Sequence, residues 1–138
     1  MAVNPRYRNC SVMIVDDAEV ARSLLRDILE EIGFDVVAEA ADGVEAVEKY
    51  AELRPLVTVM DIKMPRKNGI EATREILTLN NDAKVLMSSA IDLETLIATS
   101  VKAGASGIIY KPYIQDQVLE AINSVIRCED EESARNCV

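Results

Sequence analysis

Five times along this chain a short run of apolar, largely β-branched residues gives way to a longer segment whose apolar positions recur at helical spacing. That change of period restricts the fold more than any other feature of the sequence. Residues 11–15 (SVMIV) read as a buried strand ending at Asp16-Asp17. Val20, Ala21, Leu24, Leu25, Ile28, Leu29 and Ile32 then repeat at helical intervals as far as Gly33, a helix stop. Residues 34–40 form a second strand, and Asp42-Gly43 opens a helix carrying Val44, Val47, Tyr50 and Ala51 that ends before Pro55. The run at 56–60 (LVTVM) is the third strand, and residues 61–69, with Pro65 and Asn68-Gly69, form a loop. A helix over 70–79 follows, then a strand at 84–88, a helix at 93–102, a strand at 107–110 and a helix at 114–127. Five consecutive β–α units with right-handed crossovers predict an α/β fold. Its parallel five-stranded sheet has the order 2-1-3-4-5, with helices on both faces.

A length of 138 residues suits one domain of ordinary size. Residues 1–10 read as an N-terminal extension, 11–127 as the domain, and 128–138 as an acidic C-terminal tail. The tail loses the apolar period, sets Glu129, Asp130, Glu131 and Glu132 against Arg135, and is expected to stay frayed. The net charge of −9 argues against a basic nucleic-acid-binding face, and no recognition-helix pair is present. With no histidine, His-ligated zinc and Ser-His or Cys-His catalysis are excluded. Cys10, Cys128 and Cys137 have no paired spacing, which favours reduced thiols over a disulfide framework. The first ten residues carry no apolar signal-peptide core, and no stretch approaches the ~18 apolar residues that span a bilayer. These features predict a soluble cytoplasmic domain with no membrane insertion.

Ligands of open α/β sheets bind beyond the carboxyl ends of the strands. At that edge stand Asp16-Asp17 after the first strand, Asp61 after the third, Ser88-Ser89 after the fourth and Lys111 after the fifth. Taken singly each has a bland explanation: a helix N-cap, turn chemistry, the start of a loop. Their convergence does not. Strands 1 and 3 are neighbours in the expected order, so three carboxylates meet, and three anions so close would force protonation unless a cation sits among them. Oxygen ligands select a hard ion, and Mg²⁺ fits. The Ser89 hydroxyl and the Lys111 ammonium would then flank a bound phosphoryl group.

These residues fall in Val15-Asp16-Asp17, Met60-Asp61-Ile62-Lys63-Met64-Pro65 with Gly69, Met87-Ser88-Ser89-Ala90 and Tyr110-Lys111-Pro112. In these motifs the chain resembles the receiver domains of two-component response regulators, most of all the single-domain CheY-like group. The resemblance spans residues 11–127 and implies the flavodoxin-like (βα)5 receiver fold. It makes Asp61 the phosphoacceptor, Ser89 the switch hydroxyl and Lys111 the ion-pair partner of the aspartyl phosphate. It assigns Mg²⁺ to Asp16, Asp17, Asp61 and the Lys63 backbone carbonyl, and makes the Lys111-Pro112 bond cis. The implied partners are a sensor histidine kinase or phosphotransfer protein and a downstream effector. The effector would meet the surface of helix 4, strand 5 and helix 5, with chemotaxis among the candidate outputs. Such a domain catalyses its own phosphorylation and dephosphorylation without being a turnover enzyme. Two positions depart from the family pattern. Ile108 stands where an aromatic switch residue is usual, and Ile91 stands where a polar residue is frequent. A haloacid-dehalogenase-like phosphatase, the alternative with a nucleophilic Asp after a strand, needs a second Asp where this chain has Lys63.

Overall fold

The computed structural model describes Tyr7, residues 9–90 and residues 94–137. Its strands are β1 (Ser11–Val15), β2 (Asp35–Ala40), β3 (Val57–Asp61), β4 (Lys84–Ala90) and β5 (Gly107–Lys111). All neighbouring pairs are parallel, in the order β2-β1-β3-β4-β5. They alternate with α1 (Glu19–Ile32), α2 (Gly43–Leu53), α3 (Gly69–Leu79), α4 (Glu94–Lys102) and α5 (Gln115–Cys137). The expected topology is therefore the observed one.

Local chemistry explains most boundaries. α1 turns Leu25, Leu29 and Ile32 inward and ends at Gly33, whose φ of 123° is open to glycine and closed to most other residues. Asp42 caps α2 by accepting the Glu45 N–H at 2.9 Å, and Asn68 caps α3 by accepting the Glu71 N–H at 2.9 Å. α5 continues as helix through the acidic residues to Cys137, where the sequence suggests fraying. Glu, Ala and Arg are strong helix formers, and they extend the backbone of a helix already nucleated by its apolar first half.

Strand alternation divides the core in two. Val12, Ile14, Val57, Val59, Leu86 and Ile109 pack with Leu25, Leu29, Val118 and Ile122 on the face covered by α1 and α5. Tyr7 and Cys10, ahead of β1, are buried on that side as well. The Tyr7 ring lies 4.5 Å from that of Phe34, and its hydroxyl donates to Asn123 Oδ1 at 3.0 Å. Met13, Val15, Met60, Val85 and Met87 pack with Ala46, Tyr50, Ile70, Ile76 and Ala103 on the opposite face. Along the outer strand β2, Glu39 takes ion pairs from Arg22 (3.2 Å) and Arg26, and its carbonyl accepts from Lys49. Among the described residues no helix is long and apolar enough to cross a membrane.

Candidate functional site

Parallel pairing brings the carboxyl ends of the central strands to one edge. Val15 is in register with Met60, Asp61 with Ser88, and Ala90 with Lys111. Asp16 and Asp17 follow β1 directly, and Asp61 is the last residue of β3. One ligand oxygen from each of Asp16, Asp17 and Asp61 lies within 4.8 Å of the others. Asp16 is buried; its Oδ1 accepts the Ala18 N–H at 2.9 Å and its Oδ2 accepts Lys111 Nζ at 2.9 Å. The same ammonium stands 3.5 Å from Asp61 Oδ1, so Lys111 bridges two of the three carboxylates.

The electrostatics follow from that crowding. Burial pushes the Asp61 carboxyl up from 3.8 to about 6, Asp16 and Asp17 push the same way, and Lys111 partly offsets them. Burial works against the Lys111 ammonium, but its bond to Asp16 and the field of Asp61 outweigh that and raise its pKa. The donor set is all oxygen and carries more negative than positive charge. That is the environment a hard divalent cation stabilises, and the residues fit Mg²⁺ on those grounds.

Ser89 is buried and its hydroxyl donates to the Ala90 carbonyl at 2.9 Å. It lines, with Asp61, Lys63, Ala90 and Lys111, a cavity of about 160 Å³. The sequence suggests a strand ending at Ser88; β4 instead runs to Ala90, because β5 supplies Tyr110 and Lys111 as pairing partners. Ser88 and Ser89 are therefore strand residues and point to opposite faces. The Lys111-Pro112 bond is cis. Ile108 is half-buried against the Met60 and Met87 side, and Tyr110 is 41% exposed. Ile91 lies outside the described residues.

Two features escape a reading of the motifs. The Tyr113 hydroxyl is 2.7 Å from Ser88 Oγ, tying the Lys111-Pro112 turn to β4. Burial raises the phenol pKa, while Ser88 and Lys111 act against that rise. A hydroxyl two residues beyond the lysine, opposite a serine beside the acceptor strand, was the available signal. The second feature is the ion pair of Arg66 with Asp42, whose long sequence separation hides it.

Comparison with known proteins converges on one group. The model of the response regulator receiver domain matches residues 12–123. The chemotaxis protein CheY of Thermotoga maritima is 45% identical over 114 residues, covering 83% of this chain and 95% of that protein. CheY of Bacillus subtilis is 44% identical over 115 residues, covering 83% and 96%. Among solved structures, the CheX–CheY–BeF3–Mg²⁺ complex from Borrelia burgdorferi superposes with a TM-score of 0.83 at 34% identity. That match covers 88% of this chain and 97% of the other.

Proposed function

The chain belongs to the response regulator receiver domain family, and from that premise we propose that Asp61 is its phosphoacceptor. The observation that carries the assignment is the meeting of Asp16, Asp17 and Asp61 within 4.8 Å, with Lys111 reaching both Asp16 and Asp61. An Asp61 oxygen attacks the phosphorus of a phosphohistidine on a sensor kinase or phosphotransfer protein. The P–N bond breaks, and its electron pair leaves with the imidazole. Lys111 stays against the new acyl phosphate and balances its charge, and Ser89 turns its hydroxyl from the Ala90 carbonyl to a phosphoryl oxygen. Water attack on phosphorus later cleaves the P–O bond to Asp61, restoring the carboxylate and releasing inorganic phosphate. Asp16, Asp17, Asp61 and the Lys63 carbonyl would hold Mg²⁺, which supplies charge neutralisation to the transferring group.

The output follows from what surrounds Ser89. Ile108 is β-branched and stiff, with no ring to swing inward. The signal therefore travels mainly by displacement of the loop from Ala90 to Asp92, of which residues 91 and 92 lie outside the described residues, and of α4, and it reaches an effector through α4, β5 and α5. That surface has two pre-existing states whose balance phosphorylation shifts. A chemotaxis-type output accords with the CheY relatives.

Intact mass after incubation with Mg²⁺ and a small phosphodonor tests the acceptor. The wild type gains one phosphoryl group, Asp61→Asn gains none, and Asp17→Ala or excess chelator removes most of the gain. Full labelling of Asp61→Asn overturns the assignment. Backbone amide shifts with beryllofluoride test the output: changes confined to the loops of Asp16, Asp17 and Asp61 would defeat the α4-β5-α5 route.

A further inference from the structure

The segment between β3 and α3 begins at the proposed acceptor and closes back on it. The Gly69 N–H donates to the Ile62 carbonyl at 2.8 Å, and a Cβ at Gly69 would overlap the carbonyl oxygen of Asp61. Lys63, which shares a cavity with Asp61 and Lys111, lies within this closed loop. Its apex is strained. The Lys67 N–H donates to the Pro65 carbonyl at 2.7 Å, closing a three-residue turn centred on Arg66 at φ 63°. A non-glycine residue holds such a conformation only where its surroundings over-determine it.

Those surroundings are the start of α2. The Arg66 guanidinium donates twice to Asp42 Oδ2, from Nε at 2.9 Å and from a terminal nitrogen at 2.6 Å. The Gly43 N–H donates to the Lys67 carbonyl at 3.0 Å, an approach that a Cβ at Gly43 would block. Lys67 also pairs with Glu75 of α3. Asp42 meanwhile caps α2 with its other oxygen, so the helix does not need Arg66. The Arg66 side chain is 60% exposed, and an ion pair that open contributes little to stability. Two charge-assisted donors converging on one oxygen, itself held by the cap that Asp42 makes through its other oxygen, still fix the position of the guanidinium.

We propose that Arg66 and Asp42 form a latch that sets the 62–68 segment against Asp61, making both positioning residues for phosphoryl acceptance and metal binding. The inference rests on Asp61 being the acceptor. Three quantities are measured on the full chain: the rate of phosphoryl gain from a small phosphodonor, Mg²⁺ affinity by calorimetry, and the thermal midpoint. Arg66→Ala and Asp42→Asn each slow acceptance and weaken Mg²⁺ binding about tenfold. Both keep a midpoint close to that of the wild type, since asparagine still caps α2. The double variant is no worse than either single one, as for two residues with one shared role. Arg66→Lys restores part of the rate. Wild-type rate and affinity in both single variants would overturn the latch, as would losses that add or that follow a fall in midpoint. Wild type failing to label, or Asp61→Asn labelling fully, would bring down the acceptor and the latch together. A labelled wild type with unaffected Arg66→Ala and Asp42→Asn removes the latch alone.

Discussion

On the α1/α5 face the sheet presents Val12, Ile14, Val57, Val59, Leu86 and Ile109, all branched aliphatics. On the α2/α3 face it presents Met13, Met60 and Met87, with Met64 packed against them, beside Val15 and Val85. Four of the chain's five methionines therefore gather on one side. Buried hydroxyls gather there too: Thr73 donates to the Gly69 carbonyl at 2.7 Å and lies 3.4 Å from Met87 Sδ. Thr58, which alternation directs to the same side, has no partner for its Oγ1 among the described residues. Branched side chains lock into few rotamers, whereas methionine adapts to changing gaps. By composition the α1/α5 face is the stiffer wall of the molecule, and the α2/α3 face is the one whose side chains repack more readily.

The largest effect expected from this contrast is on the stiffer wall. Leu29→Ala should cost about 3 kcal/mol in denaturant unfolding and leave the rate of phosphoryl gain from a small donor unchanged. A slowed rate in the folded variant would erase the distinction between the faces.

The next concerns the edge both faces share. In the metal-free protein the Asp61 carboxyl sits at about 6 against 3.8. The folded state therefore holds the extra proton between these values, and this group's contribution to stability falls as pH rises through roughly 4 to 6. Asp61→Asn should stabilise the metal-free chain by about 2 kcal/mol at neutral pH and by almost nothing below the unfolded value. Unfolding in chelator at two pH values checks this; equal gains at both would refute it.

On the adaptable face, Thr58→Val removes an unpaired buried hydroxyl and should gain about 1 kcal/mol. A loss instead would show that the hydroxyl finds a partner. Smallest of all, Met87→Leu should cost about 0.5 kcal/mol. It should nevertheless reduce the beryllofluoride-induced amide shifts in β4 and α4. Undiminished shifts would mean that the methionines are filling alone.

Much of this was legible in the sequence, because period and strand order are set by local pattern. Asp16, Asp17, Asp61 and Lys111 could be placed together from topology alone, since each ends or follows a strand at the same edge. What stayed hidden depends on partners distant in the chain. β4 outlasts its apolar run because Tyr110 and Lys111 complete its ladder. Tyr113 matters through Ser88, and Arg66 through Asp42, each pair separated by more than twenty residues. The two-sided core was implied by alternation, but not which side the methionines would share, because a buried parallel strand is apolar on both faces.

The charged cluster on β2 has a consequence beyond its small share of stability. An outer strand with free backbone groups invites another chain to add itself as a further strand. Here Glu39 gathers Arg22 and Arg26, and its own carbonyl is taken by Lys49. An incoming strand would have to displace that lysine and desolvate the ions before forming its first hydrogen bond. The cluster thus acts as a guard against templated growth from one margin of the sheet.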